Sequence, residues 1–166
     1  YESVSDQEFL TRLAQRIITA LTVVTREGSA YEIDASLRPS GNGGTLLTQI
    51  DSFREYHATL GRTWERQSLI KARPIVGPRG FLERAQDLIE DIVYRKDPRL
   101  LSVPRLLGQE IHHLRSRMET EIAREVPGRY HIKLGRGGLA DIEFLTQYLQ
   151  LNSGGQIPAV RTPNTL

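Results

Sequence analysis

The sequence predicts a predominantly helical α+β fold. Most segments between turn signals carry apolar residues at steps of three and four, the spacing that lines one face of a helix. Residues 30–37 instead alternate apolar and polar side chains, which is typical of a strand. A second, short extended piece is expected at 130–134. These observations indicate five or six helices and one clear strand.

The composition excludes several classes of protein. Apolar residues make up 39% of the chain and charged residues 25%, and no apolar run is long enough to cross a membrane. The sequence has no cysteine, so disulfides and thiolate metal sites are excluded and a cytoplasmic location is expected. No membrane association is expected from the absence of such an apolar run, and because the net charge is only +2 with both signs interspersed, nucleic acid is not expected as a partner either.

The first helix begins at Ser5 or Asp6 and runs to about Val24. Glu8 is placed to complete a capping box if Ser5 is the cap. The apolar face of this helix consists of Phe9, Leu10, Leu13, Ile17, Ile18 and Leu21. The strand 30–37 follows a turn, and Pro39 to Gly44 ends it.

The remaining elements are expected to be helices. One begins at Thr48 or Asp51, and another runs from Thr63 to about Ala72. Three longer helices follow, at 81–95, 105–125 and 139–151, with a linker between Pro98 and Pro104 and a loop at 135–138. The apolar residues Leu139, Ile142, Leu145, Tyr148 and Leu149 are expected in the core.

Asp34 is the first candidate for chemistry. It shares one strand face with Glu32 and Ser36, and a carboxylate on a strand suits Mg²⁺, which binds one or two carboxylates plus substrate phosphates. The alternative is an Asp on the solvated face of an edge strand. The loop that follows, "LRPSGNGG", combines an arginine with glycines, a combination that can hold a phosphate or can simply form a turn.

Two further blocks combine charged side chains with turn or helix signals. In "TWERQSLIKARPIVG", Lys71 and Arg73 could meet phosphates, or these charges could be solvated on a helix whose Trp64 packs in the core. In "HIKLGRGGLADIEFLTQYLQL", Lys133 and Arg136 precede a helix whose N-terminal donors could face an anion. Structural use is the default interpretation of the second block.

These blocks together resemble the glutamine synthetase adenylyltransferase family, the bacterial glutamate-ammonia-ligase adenylyltransferases/adenylyl-tyrosine phosphorylases. The resemblance rests on "YEIDASLRPSGNGGTLL", "TWERQSLIKARPIVG" and "IKLGRGGLADIEFLTQY", in this order, and covers nearly the whole chain. It implies the C-terminal part of a nucleotidyltransferase domain of the DNA polymerase β type at 1–78. A helical bundle domain, incomplete at its end, is implied at 79–166.

The resemblance also implies roles for individual residues. Asp34 matches the third catalytic acid of the superfamily, a ligand of Mg²⁺ that helps position the attacking group, with ATP as substrate. The residues that match nucleotide- or phosphate-binding positions are Arg38, Ser40, Gly41, Lys71 and Arg73. Supporting positions are Glu65, Lys133, Arg136, Asp141 and Glu143.

The implied activity is transfer of AMP from ATP to a tyrosine of glutamine synthetase. Glutamine synthetase would then be the partner, and the PII signal protein and glutamine would be regulators. The Gly-Ser…Asp-x-Asp segment of the family is expected before residue 1, so an internal fragment that is inactive alone is expected. The deadenylylating half of the same enzyme and a non-catalytic helical interaction domain remain alternatives.

Overall fold

The computed structural model describes residues 5–95 and 104–163. The chain divides into two compact units, Tyr1–Thr59 and Leu60–Leu166. This division lies before the expected domain boundary at 78/79. The assignment of the first part to a nucleotidyltransferase domain stays a prediction.

Helices dominate the described part of the chain, as predicted. None of them is long and apolar enough to span a bilayer. We number the α-helices in chain order: α1 Asp6–Thr22, α2 Ile50–Thr59, α3 Thr63–Leu69, α4 Arg79–Tyr94, α5 Pro104–Arg117 and α6 Leu139–Ser153. A π-helical turn, Met118–Ala123, continues α5, and short 3₁₀ turns lie at Gly41–Gly43 and Pro158–Val160.

The helices follow the predicted positions closely. Ser5 caps α1, and its hydroxyl accepts a hydrogen bond from the Glu8 backbone N–H at 3.3 Å. α3 ends at Leu69 rather than near Ala72. Most of the linker expected between Pro98 and Pro104 lies outside the described residues.

The strand expected at 30–37 does not form, and this corrects the β part of the predicted α+β fold. Residues 31–35 have no regular secondary structure, and the Tyr31 N–H donates instead to the Leu21 carbonyl at 3.0 Å. A strand requires a neighbour for its ladder, and no described segment pairs with this one. The only bridges in the described ranges, Thr25–Gly28 and Val126–Arg129, close tight turns. The piece at 130–134 is likewise mostly turn rather than extended.

The hydrophobic core lies in the second unit. Its buried cluster consists of Ile70, Val93, Leu107, Ile111 and Leu151. α6 packs against α5 and α4, and α3 contacts all three of these helices. Every buried hydrophobic side chain of the described residues belongs to this unit.

Of the five residues predicted in the core from α6, only Tyr148 packs there. Leu139, Ile142, Leu145 and Leu149 are 49–60% exposed. The buried positions are instead Ala140 and Leu151, with Phe144 and Tyr148 packed against the core. α6 is apolar on two faces, so spacing alone did not determine which face is buried.

A buried arginine joins α3 to the end of α4. Arg66 is only 6% exposed, and it donates hydrogen bonds to the carbonyls of Ile92, Val93 and Arg95 at 2.9–3.1 Å. The last turn of α4 contains no basic residue, so Arg66 supplies the positive charge that a helix C-terminus favours.

Candidate functional site

Asp34 lies exposed in the first unit, directly before the glycine-rich loop. Its Oδ1 accepts a hydrogen bond from the Ser36 backbone N–H at 2.8 Å. The hydrogen bond with the Ser36 side chain, and then that with the Ser36 backbone, lower the pKa of Asp34 below its ordinary value. The carboxylate is therefore ionised at neutral pH, and its hydrogen bond to Ser36 restrains its orientation.

The loop after Asp34 is organised by Arg38. The Arg38 guanidinium donates to the carbonyls of Gly44 at 3.0 Å, Ala35 at 2.5 Å and Asn42 at 3.2 Å. Arg38 therefore holds the loop from inside, and three of its five N–H donors are taken by backbone. From the sequence, Arg38 was predicted to bind phosphate; the contacts of its guanidinium within the described residues are with the loop backbone.

Ser40 and Gly41 form the tip of this loop, and both have left-handed backbone, with φ of 63° and 57°. The Ser40 N–H donates to the Tyr56 hydroxyl of α2 at 3.4 Å. A Cβ at Gly44 would lie 2.0 Å from the Pro39 carbonyl oxygen, so only glycine fits there. The loop that follows Asp34 is thus closely packed onto itself.

A cavity of about 330 Å³ adjoins Asp34. Its walls are mostly apolar and come from α1 and the loop, including Ile17, Ile18, Leu37 and Leu46, with Asp34 and Arg38 also lining it. Within the described ranges, no group of three acidic or histidine side chains could hold a metal ion. Asp34 offers one ligand to Mg²⁺, and these residues alone do not form a magnesium centre.

Glu65 is a structural residue at the start of α3. It is 4% exposed, and its Oε2 accepts a hydrogen bond from the Arg62 backbone N–H at 2.7 Å. This contact is one half of a capping box, in which the third residue of a helix accepts a hydrogen bond from the backbone N–H of the N-cap residue.

Lys71 and Arg73 belong to the second unit, whereas Asp34 belongs to the first. Lys71 Nζ pairs with Glu143 Oε1 of α6 at 2.7 Å. Arg73 is exposed and makes no hydrogen bond or ion pair within the described part of the chain. Both basic residues line a cavity of about 340 Å³ that also contains Arg161, a residue that sequence reasoning did not single out.

The loop at 135–138 is held by a buried arginine that the sequence analysis also missed. Arg115 of α5 is 6% exposed. Its Nη2 donates to the Gly135 carbonyl at 2.7 Å, and its Nε lies 2.6 Å from Asp141 Oδ1. The other oxygen of Asp141 accepts from the Gly137 N–H at 2.7 Å. Asp141 thus stabilises the loop 135–138, and its supporting role in a catalytic site stays a prediction.

The backbone donors at the N-terminus of α6 are already occupied. Leu139 and Ala140 donate to the carbonyls of Ile132 and Lys133, at 3.2 and 2.9 Å. Glu125 accepts from the Arg136 backbone N–H at 3.4 Å. The side chains of Lys133 and Arg136 are exposed, but the donors that an anion would need are taken by the protein itself.

Comparison with known proteins gives two matching family models. The glutamate-ammonia ligase adenylyltransferase model matches residues 1–87. The GlnD PII-uridylyltransferase model matches residues 109–165.

Three curated relatives illustrate the similarity, and each is named bifunctional glutamine synthetase adenylyltransferase/adenylyl-removing enzyme. The protein of Hahella chejuensis is 34% identical over 95% of this chain and 16% of its own length. That of Xanthomonas campestris is 36% identical over 92% and 16%. That of Thioalkalivibrio sulfidiphilus is 37% identical over 89% and 15%. The chain thus spans about one sixth of the length of these relatives, while the first family model covers more than half of the chain. The chain therefore belongs to the glutamate-ammonia ligase adenylyltransferase family.

Proposed function

We propose that the protein to which this chain belongs transfers AMP from ATP to a tyrosine of glutamine synthetase, and that Asp34 takes part in this reaction. The observation that carries the proposal is the Asp34 carboxylate itself. It is exposed and ionised, it accepts a hydrogen bond from the Ser36 N–H, and it adjoins a cavity within the segment that the family model matches. The names of the relatives supply the substrate protein and the transferred group.

Each site residue has a stated part in this proposal. Asp34 supplies one carboxylate ligand to Mg²⁺, which when bound neutralises charge on the phosphates of ATP. Arg38 keeps the loop 35–44 in one conformation through its three carbonyl contacts. Ser40 and Gly41 form the tip of the loop, where the backbone approaches the nucleotide. Because Asp34 belongs to no group of three acidic or histidine side chains among the described residues, we expect the 166-residue chain alone to transfer no AMP.

The direction of the reaction is part of the proposal. The blocks around Asp34 and in α6 resemble the adenylylating half of the family, whereas "IKLGRGG" resembles the deadenylylating half. The names of the relatives include both activities. We favour adenylylation, with the PII signal protein and glutamine as regulators of the whole protein.

The test is Asp34→Asn in the full-length parent protein, which keeps the size of the side chain and removes its charge. We expect AMP incorporation into glutamine synthetase to fall on the order of a thousandfold, because a lost metal ligand costs several kcal/mol of transition-state stabilisation. Asp51→Asn is the matched control, since Asp51 is an exposed carboxylate of α2 in the same unit.

Unchanged incorporation in Asp34→Asn would reject the proposal for adenylylation. Phosphorolytic removal of AMP, measured in the same variant, would then show whether Asp34 serves the reverse reaction. If both activities persist, Asp34 is a solvated side chain and this part of the protein is an interaction domain.

A further inference from the structure

The cavity around Arg161 has the features of a binding pocket. It has a volume of about 340 Å³ and lies between the end of α3, the second half of α4 and residues 161–163. All these parts belong to the second unit. The volume falls at the lower end of the range for small-molecule sites. We call it the Arg161 cavity.

Arg161 is held in place before any ligand arrives. Its Nε donates to the Gly154 carbonyl at 2.7 Å, and its guanidinium lies over the Tyr94 ring, 4.8 Å from the centroid. Its Nη1 lies 3.7 Å from Glu90 Oε2. These contacts leave terminal N–H donors of Arg161 without a hydrogen bond in the described residues, so an incoming anion would meet a fixed cation.

The backbone that carries Arg161 is also fixed. Gln150 of α6 is 4% exposed, and its amide donates to the carbonyls of Val160 at 3.1 Å and Thr162 at 2.6 Å. These two bonds lie on either side of Arg161. Because the backbone on both sides of Arg161 is already ordered, ligand binding would cost little conformational entropy there.

Positive charge exceeds negative charge in the Arg161 cavity. Lys71, Arg73 and Arg161 line it, and the single acidic lining residue is Glu90. Lys71 forms an ion pair with Glu143, which does not line the cavity. Arg73 has no partner in the described chain and therefore supplies the excess positive charge. The Tyr94 hydroxyl and the Gln86 amide add neutral polar groups.

We propose that the Arg161 cavity binds a small phosphate-bearing molecule, with Arg161 and Arg73 as its principal contacts and Lys71 as a third. A phosphate has oxygens enough for several cationic donors, whereas a carboxylate is satisfied by one guanidinium. Two guanidinium groups from two chain segments, with the Lys71 ammonium beside them, match a phosphate better than a carboxylate. This deepens the phosphate-binding role predicted for Lys71 and Arg73, and it does not depend on Asp34.

The test is isothermal titration of the whole 166-residue chain with inorganic phosphate at low ionic strength, repeated with glycerol phosphate. We expect saturable binding of one phosphate, weakened about tenfold by Arg73→Ala, the effect of losing one charge-assisted hydrogen bond. Tighter binding of glycerol phosphate would identify the natural ligand as a phosphate ester, and tighter binding of phosphate would identify it as the free anion. Binding of succinate as tight as that of phosphate would overturn the assignment to phosphate.

Control variants distinguish phosphate binding in the Arg161 cavity from nonspecific attraction of anions to the protein surface. Arg84→Ala removes an exposed arginine of α4 that does not line the cavity, and it should leave phosphate binding unchanged. Because Arg73 has no partner in the described chain, Arg73→Ala should keep the fold, which circular dichroism checks. Equal loss in both variants, or no saturable binding, would overturn the proposal. Asp34→Asn should leave phosphate binding unchanged, so failure of this proposal and failure of the proposed AMP transfer are distinguishable.

Discussion

Replacing Arg66 by methionine tests the contact that joins α3 to α4. Methionine keeps an unbranched apolar stem but removes the charge and every donor. The carbonyls of Ile92, Val93 and Arg95 then lose a charged partner. Of the three bonds, the one to Val93 is fully buried, and the other two are partly buried.

The magnitude follows from this difference in burial. An unsatisfied buried carbonyl costs about 1–3 kcal/mol, whereas water can replace much of a partly buried bond. The loss of a cation at the C-terminus of α4 adds about 0.5 kcal/mol. We therefore expect the free energy of unfolding to fall by about 3 kcal/mol, a large share of the roughly 5–15 kcal/mol of a typical domain.

The assay is urea unfolding followed by tryptophan fluorescence. Trp64 is the single tryptophan and lies in α3, so the signal reports on the second unit. Arg84→Met makes the same chemical change at an exposed site of α4 and should alter stability by less than about 0.5 kcal/mol. A loss below about 1 kcal/mol in Arg66→Met, or an equal loss in Arg84→Met, would refute the structural role of Arg66.

Two further predictions concern the Asp34 loop and Tyr94. Gly44→Ala should displace the loop and speed amide exchange at Gly41 and Gly44, because its Cβ would clash with the Pro39 carbonyl; Gly43→Ala, with open space at its Cβ, should not. Exchange unaltered by Gly44→Ala would contradict the close contact between Gly44 and the Pro39 carbonyl. Burial raises the pKa of Tyr94 above its ordinary value, so the protonated form is favoured in the folded state. Stability should therefore fall as pH rises through about 10 and beyond, and Tyr94→Phe should reduce that fall in urea unfolding at alkaline pH. An identical alkaline loss in the Phe variant would show that Tyr94 is not its source.

The sequence was a good guide to the helices because their signals are local. Ser5 caps α1 and begins it where the pattern predicts, and the apolar spacing of α4 places its boundaries within a few residues. The strand at 30–37 was not predictable from its own residues, since alternation permits a strand but only a neighbour completes one.

The structural roles of the basic side chains could not be predicted, because their partners are distant in the sequence. Arg66 binds carbonyls 26–29 residues further along the chain, and Arg115 binds one 20 residues away. The sequence around Arg66 and around Arg115 therefore gave no indication of these contacts. Arg161 likewise acquires its position from Tyr94, Glu90 and Gly154, which only folding brings together. Asp34 could be singled out from the sequence because its motif is contiguous, and its catalytic role stays a prediction.

The uneven distribution of the core has a thermal consequence. Apolar side chains such as Phe9 and Ile17 in α1 are already 51–61% exposed, so unfolding of the first unit transfers little new apolar surface to water. The heat capacity change of unfolding comes largely from such surface. The second unit, which contains Ile70, Val93 and Leu107, therefore supplies most of it. The free energy of unfolding of the second unit should therefore curve with temperature, whereas that of the first unit should vary more nearly linearly.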